Sequence, residues 1–286
     1  MNKIKLSDEI LKLCDIADSY IKELFPESES EILNAMGYSV LAGGKRIRPL
    51  MVLLSCEALG GDIKKALPFA AAIEMVHCYS LIHDDLPAMD DDDFRRGKPS
   101  NHKVFGEAMA ILAGDALLTE AFSEIAKAEV SDTQKIKAVA SLSKRAGKDG
   151  MVLGQALDMH GCDKFDDLLE IYRRKTGDLL CASLSMGALA AGGKGDEFDE
   201  YGEKIGIAFQ IKDDILDVTS SEEVLGKPIN SDEKNEKKTS LKFISLEKAQ
   251  EMVKILTDEG KNSLSFLGDG NKKLLEIADY LIFREY

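Results

Sequence analysis

Apolar residues recur at helical spacing along almost the whole chain. From Leu6 to Leu24 they fall three or four positions apart, with Ser7 placed to cap a helix and Pro26 to end it. Apolar and polar residues hardly ever alternate with the period of a strand, so the pattern predicts an all-α protein. Besides the first helix, the periodicity predicts helices over about 30–41, 49–60, 63–86, 107–129, 132–160, 164–191, 196–219, 245–259 and 270–284.

Two of these segments, around 110–122 and 179–192, are apolar on nearly every side. Helices of that kind are buried inside a bundle of other helices. Neither a linker nor a fixed-period repeat divides the chain, and residues 220–240 are polar without periodicity, which predicts a loop there. We therefore expect a single domain over 1–286, built as one large bundle of ten or more helices.

The charge balance restricts the possible partners. The 286 residues carry a formal net charge of −14, which disfavours nucleic acid and anionic membrane surfaces. Five dispersed cysteines without a C-x-x-C pair are typical of free thiols in a reducing compartment. The first residues contain no apolar signal core, and no uninterrupted run of about 18 apolar residues is present. These features predict a cytoplasmic protein with no membrane span.

Two clusters of aspartates each follow an apolar helical segment. The first places six aspartates within ten positions, 84–93, around Pro87, which cannot donate a hydrogen bond to the carbonyl of residue 83. A break there could bring Asp90 back towards Asp84. The second, "FQIKDDILDV" at 209–218, places Asp213 and Asp217 on one helix face.

Negative charge at the C-terminal end of a helix is destabilising, because the helix dipole is negative there. A solvated acidic loop is the simplest explanation of one such run, but two runs after apolar helices indicate a cation. Carboxylate oxygens suit Mg²⁺, which also keeps waters and takes phosphate oxygens from substrates. The chain has cations suited to such phosphates: Lys45, Arg48, Arg95, Arg96, Lys175 and Lys227. The residues alone thus predict a protein that binds a polyphosphate through Mg²⁺.

The order and spacing of the motifs resemble those of the trans-isoprenyl diphosphate synthases, and most closely those of the bacterial farnesyl diphosphate synthase type. The resemblance covers nearly the whole chain, and the long aspartate motif ending in tandem arginines is its most specific part. Its signals are "AGGKRIRP" (42–49), "EMVHCYSLIHDDLPAMDDDDFRRGKPSNH" (74–102), "GQALDM" (154–159), "YRRKTGDLL" (172–180), "AFQIKDDILDV" (208–218) and "LGKPINSD" (225–232).

This resemblance implies a helical fold of the isoprenoid synthase type around a deep central substrate cavity, with the two aspartate motifs facing each other across its mouth. It also implies ionisation, condensation and elimination. An allylic diphosphate loses its diphosphate with the help of three Mg²⁺ ions, and the double bond of isopentenyl diphosphate attacks the carbocation. A proton then leaves. The expected substrates are isopentenyl diphosphate with dimethylallyl and then geranyl diphosphate.

Residue roles follow from the same resemblance. Metal ligands are expected at Asp84, Asp90 and Asp213, while Asp85, Asp214 and Asp217 would orient waters and ligands. The allylic diphosphate would contact Arg95, Lys175, Lys227 and either Lys237 or Lys238, with Lys237 preferred. Isopentenyl diphosphate would contact Lys45, Arg48, His77 and Arg96. Thr176 and Gln210 match polar groups near the cation and the proton-transfer route. His83 and His102 are expected to be structural.

Product length is expected to depend on Tyr79 and Ser80, five and four positions before Asp84. An aromatic ring at Tyr79 would close the cavity floor at a fifteen-carbon product, so farnesyl diphosphate is the expected product. Geranylgeranyl or geranyl diphosphate synthesis is the alternative within the family. A terpene cyclase is disfavoured because this chain has aspartates at its second motif, and an inactive partner subunit is disfavoured because both motifs are intact. The resemblance also implies a homodimer.

Overall fold

The computed structural model describes residues 5–219 and 238–283, and almost all of their regular structure is helical. This confirms the all-α fold class. The helices are α1 (Asp8–Leu24), α2 (Glu31–Val40), α3 (Ile47–Ala58), α4 (Ile63–Asp84), α5 (Asn101–Phe105), α6 (Glu107–Lys127), α7 (Asp132–Ala146), α8 (Met151–His160), α9 (Phe165–Tyr172), α10 (Asp178–Ala190), α11 (Asp199–Thr219), α12 (Leu246–Ser263) and α13 (Lys272–Phe283).

Helices α4 and α10 lie at the centre of the bundle. Every residue of α10 is buried, and α4 packs against α3, α6 and α10. Within the described ranges, α4 is the one helix whose length and composition would allow it to cross a membrane, but 72% of its most apolar window is buried inside the protein. Its uniformly apolar surface is therefore explained by burial among other helices.

The predicted helix over 132–160 is in fact two helices, α7 and α8. The chain turns between them at Gly147 and Gly150. A Cβ atom on Gly150 would lie less than 3.0 Å from the carbonyl oxygen of Arg145, so this turn requires a residue without a side chain. The break allows α8 to run beside the segment that follows α9, where several candidate site residues lie.

The predicted helix over 164–191 is continuous but not uniform. A π-helical turn, Arg173–Gly177, joins α9 to α10. Its wider winding changes the direction in which side chains leave the helix, and such turns occur frequently at functional sites.

The segment after α4, which the sequence predicted to be a loop, contains regular structure. The predicted loop after α4 contains a short antiparallel ribbon, Phe94–Arg95 with Lys98–Pro99, and the short helix α5.

A smaller apolar cluster, separate from the main core, packs α9 against α11 and α12. This second cluster fixes the position of α11, which carries the second aspartate motif.

Candidate active site

The first aspartate motif lies where α4 ends. Beyond Asp84 the backbone folds back on itself, and the N–H of Asp90 donates a hydrogen bond to the carbonyl of Asp84 at 2.8 Å. The turn contains Pro87, which cannot continue the helix. The backbones of the two residues expected to bind metal are therefore brought together, as the proline break led us to expect.

Arg95 is held at this acidic turn by carboxylates. Its guanidinium contacts the carboxylate of Asp85, at 2.9 Å from Nε, and that of Asp92 at 3.2 Å. Asp85 is only 2% exposed, and burial raises the pKa of its carboxyl group although the hydrogen bond from Arg95 opposes that shift. The pair fixes the orientation of the arginine relative to the end of α4.

The second aspartate motif is anchored through Asp214. This residue is 2% exposed, and its Oδ2 accepts hydrogen bonds from the Tyr172 hydroxyl at 2.5 Å and from the backbone N–H of Ser240 at 2.7 Å. Asp217 is also buried, whereas Asp213 is half-buried. The buried neighbours thus hold the end of α11 in place around Asp213.

The π-helical turn presents Lys175 and Thr176. The Lys175 ammonium pairs with Asp158 of α8 at 2.6 Å, and the Thr176 hydroxyl donates to the Gln210 side-chain oxygen at 3.0 Å. Thr176 and Gln210, to which the resemblance assigns the same role, are thus in direct contact.

Glycines let two helices approach this turn closely. A Cβ on Gly154 of α8 would lie less than 3.0 Å from the backbone of Lys175, and one on Gly206 of α11 would lie equally close to Gly177. Such distances exclude a larger residue unless the backbone moves. The turn is therefore fixed from both sides by backbone packing.

A cationic group lies at the start of α3. Nη1 of Arg48 is 3.4 Å from Nε2 of His77 on α4. Burial, together with nearby arginines, lowers the pKa of His77 well below its ordinary value, so the imidazole is neutral at pH 7. Burial also lowers the pKa of Arg48, to about 10, so the guanidinium is still charged. Its Nε is buried without a hydrogen-bond partner, which leaves a donor for a bound anion.

Arg96 lies close enough to His77 to contribute to its lowered pKa, and it contacts the loop that carries Lys45. Lys45 is exposed, three residues before Arg48. Arg96 has a positive φ of 54° and donates a hydrogen bond to the carbonyl of Gly43. The arginine that ends the first aspartate motif therefore contacts the glycine loop that carries Lys45.

One cavity of about 450 Å³ is lined by several of these groups, although neither Asp90 nor Asp213 is among its lining residues. Its lining includes carboxylate, guanidinium, imidazole and ammonium groups together with apolar side chains of α4 and α8. Among the residues that line it are Arg48, His77, Tyr79, Ser80, His83, Asp84, Met89, Met151, Val152, Gln155, Met159, Lys175 and Thr176. A smaller adjoining cavity of about 120 Å³ shares Lys175 and Thr176 and is also lined by Asp158, Tyr172, Gln210, Asp214 and Lys238.

Some expected residues lie elsewhere. Arg95 and Arg96 line a narrow cleft beside the large cavity. Lys227 and Lys237 lie outside the described residues. Lys238, the alternative to Lys237, lies at the smaller cavity and pairs with Asp163 at 2.7 Å.

Three residues at the cavities were not predicted from the sequence to be site residues. Asp158 pairs with Lys175, and the side-chain oxygen of Gln155 is buried in the cavity wall without a hydrogen-bond partner. Both belong to "GQALDM", whose i, i+3 spacing places them on one helix face. His83 also lines the large cavity, although the sequence suggested only a structural role.

The carboxylates suit a hard divalent cation that shares its coordination with a substrate. Within residues 5–219 and 238–283, no group of three or more His, Cys, Asp or Glu side chains could hold a metal ion by itself. Mg²⁺ seldom occupies an all-protein cage and is held by one or two carboxylates with waters and phosphate oxygens. The cavity that these carboxylates, cations and apolar side chains line suits a ligand with a phosphate head and a hydrocarbon tail.

The chain belongs to the polyprenyl synthetase family, whose model matches residues 29–265. It is 46% identical over 276 residues to the farnesyl diphosphate synthase of Geobacillus stearothermophilus, covering 93% of this chain and 92% of that protein. It is also 46% identical over 269 residues to the heterodimeric geranylgeranyl pyrophosphate synthase large subunit 1 of Arabidopsis thaliana, covering 89% and 72%. A crystal structure of geranyltransferase from Helicobacter pylori, complexed with magnesium and isoprenyl diphosphate, superposes with a TM-score of 0.85 at 34% identity, covering 97% of this chain and 98% of that one.

Proposed function

We propose that the chain is an Mg²⁺-dependent farnesyl diphosphate synthase that condenses isopentenyl diphosphate with dimethylallyl and then geranyl diphosphate. One observation carries the proposal. The same cavity is lined by the charged side chains of Asp84, Arg48 and Lys175 and by apolar surface that includes the ring of Tyr79. A substrate with a diphosphate head and a short hydrocarbon tail matches both kinds of surface.

The allylic diphosphate would lie between the two aspartate motifs. Asp84, Asp90 and Asp213 would hold Mg²⁺, of which we expect three ions with bound diphosphate. When bound, Mg²⁺ would neutralise the charge that develops on the leaving diphosphate. Asp85 would keep Arg95 oriented towards this end of α4, since the two are paired and Asp85 is buried.

Further cations would complete the allylic site. Lys175 is held by Asp158 at 2.6 Å, so its ammonium is positioned before a substrate arrives. Preorganised charges of this kind favour the transition state, because they need no rearrangement as the negative charge grows. Lys227 and Lys237, which lie outside the described residues, are proposed as additional contacts to the same diphosphate.

Isopentenyl diphosphate would bind beside Arg48 and His77. The charged guanidinium of Arg48, whose buried Nε has no hydrogen-bond partner, favours an anionic ligand that accepts a hydrogen bond, and the neutral His77 ring lies beside it. Lys45 and Arg96 would contribute further charge, since the loop of Lys45 is contacted by Arg96.

The carbocation would form within the apolar part of the cavity. Met151, Met159 and Tyr79 line that part, and their surfaces would exclude water that could quench the cation. Thr176 and Gln210, which contact each other, would direct polar atoms towards it. The departing diphosphate, rather than a side chain, would accept the proton that is released.

Product length would be limited by Tyr79 with Ser80 beside it. Tyr79 is 7% exposed and lines the cavity, which supports a ring that restricts the growing chain. Relatives of both product classes are similarly identical to this chain, so geranylgeranyl diphosphate is the second candidate product. The aromatic ring at Tyr79 favours the fifteen-carbon product.

We further propose that residues 1–286 form one polyprenyl synthase domain that acts as a homodimer in the cytoplasm. The family model matches one uninterrupted range, 29–265, which supports a single domain. Five free cysteines and a net charge of −14 are typical of a protein in a reducing compartment without nucleic acid or a membrane as partner.

Product analysis tests the proposal. The purified chain is incubated with labelled isopentenyl diphosphate, dimethylallyl diphosphate and Mg²⁺, and prenyl alcohols are identified after phosphatase treatment. We expect mainly farnesol, and none when EDTA is in excess. Geranylgeraniol as the main alcohol would support the second candidate, whereas the absence of any labelled prenyl alcohol of ten or more carbons would refute prenyl transfer.

A further inference from the structure

His83 lies one helical turn after Tyr79 and just before Asp84 on α4. Its side chain is half-buried and lines the large cavity beside Tyr79. Residues four apart on a helix share a face, so the two rings can contact each other. His83 thus lies between the Tyr79 ring, which lines the cavity, and the end of α4, which carries the first aspartate motif.

Two contacts fix the imidazole of His83. Its Nε2 is 3.1 Å from the carbonyl oxygen of Ile111 on α6. A carbonyl oxygen only accepts, so Nε2 must carry the proton and donate it. The ring also meets the Tyr79 ring edge-on, with centroids 5.8 Å apart and planes at 75°. His83 thus links the Tyr79 ring to the backbone of a neighbouring helix.

Gly114 makes this placement possible. It lies on α6 opposite His83, and a Cβ there would come within 3.0 Å of three atoms of the imidazole ring. Real Cβ atoms do not approach so closely, so any larger residue would displace the ring. Because Gly114 has no side chain, it leaves the space that the His83 ring occupies.

We propose that His83, seated against Gly114, is a positioning residue for product length, because it holds the Tyr79 ring in place at the cavity wall. The inference rests on the proposed function, since it concerns the ring proposed to stop chain growth. An edge-on aromatic contact restricts the partner ring. Without His83, the Tyr79 side chain gains orientations that leave room for a longer prenyl chain.

The test compares product lengths of His83→Ala, Tyr79→Ala and the double variant with those of the unmodified chain. We expect His83→Ala to raise the ratio of the next longer product to the main product by about two- to tenfold, as for the loss of one such ring contact. Because His83 acts through Tyr79, the double variant should give the same ratio as Tyr79→Ala alone. Gly114→Ala should reproduce the effect of His83→Ala.

His160→Ala is the matched control, since His160 is an exposed histidine on α8 that also contacts a backbone carbonyl. The proposal is overturned if His83→Ala is folded and active with unchanged product lengths, or if its effect persists in full in the Tyr79→Ala background. Failure of the unmodified chain to form any prenyl product would refute the proposed function instead. In that case the urea midpoints of the same four proteins test the ring contact directly, and purely additive shifts would overturn it.

Discussion

Replacing Tyr79 with alanine should lengthen the product. The residue lies five positions before Asp84 on α4, which places it about 7.5 Å along the helix axis from the motif that would hold the diphosphate. Its ring is 7% exposed and lines the cavity, and burial raises the pKa of its hydroxyl to about 12, with Asp84 as a second cause. The hydroxyl is therefore neutral at pH 7, and the ring acts through its volume.

The size of the effect follows from the cost of overfilling the cavity. Forcing additional carbon atoms into a packed apolar space costs on the order of 1–3 kcal/mol. Since about 1.4 kcal/mol corresponds to a factor of ten, removing the ring should raise the ratio of twenty-carbon to fifteen-carbon product by roughly 5- to 140-fold. Truncation also removes buried packing, so some loss of thermal stability should accompany it.

The assay is chromatography of the dephosphorylated products that form from dimethylallyl diphosphate and an excess of isopentenyl diphosphate. Tyr79→Phe is the matched control because it keeps the ring and removes only the hydroxyl, and it should leave product length unchanged. If Tyr79→Ala is folded and active but still stops at fifteen carbons, the ring is not the limit. A shift in Tyr79→Phe as large as in Tyr79→Ala would show that the hydroxyl, rather than the volume, sets the length.

Three further results are expected. Asp84→Asn and Asp213→Asn should each lower kcat by about 10²–10³-fold with little change in melting temperature, because each removes one group that stabilises charge in the transition state. Near-normal turnover in either variant would contradict these roles. Arg48→Ala should raise the KM for isopentenyl diphosphate, and Lys175→Ala should raise the KM for the allylic substrate. Each increase should be about 10- to 150-fold, because one charge-assisted hydrogen bond of roughly 1.5–3 kcal/mol is lost. Equal effects of one variant on both substrates would refute the assignment of these residues to two separate diphosphate sites. Because the pKa of His77 is lowered in the folded state, the unfolded chain binds more protons than the folded chain below pH 6.5. As the pH falls below 6.5, this histidine should therefore lower the free energy of unfolding by up to about 1.4 kcal/mol per pH unit. His77→Gln should lose this pH dependence, and urea titrations in which the variant keeps it would contradict the reasoning.

Helix positions were largely predictable because burial imposes a period on the sequence. Helices α2 and α6 lie within one or two residues of their predicted bounds. The break between α7 and α8 was missed because both segments share one apolar period, and only the approach of Gly150 to a carbonyl oxygen requires the turn. The π-helical turn was likewise invisible, since one widened turn barely changes a helical pattern.

The candidate site was predictable where the sequence places negative charge at the C-terminal end of a helix, because the helix dipole makes such charge unfavourable. Asp84 at the C-terminal end of α4 and Asp213 in the C-terminal part of α11 had no explanation in folding alone. His83 could not be identified in this way, because a histidine at the end of an apolar helix is compatible with a structural role. Its contact with Tyr79 and its fit against Gly114 depend on how α4 and α6 pack, which the sequence of either helix does not contain.

The most direct test of the central claim is a crystal structure of the chain with Mg²⁺, isopentenyl diphosphate and a thiodiphosphate analogue of dimethylallyl diphosphate that ionises slowly. The account requires the analogue's diphosphate between Asp84 and Asp213, its tail directed towards Tyr79, and isopentenyl diphosphate against Arg48 and His77. Density for either diphosphate away from these residues, or a prenyl tail outside the cavity that Tyr79 lines, would contradict it.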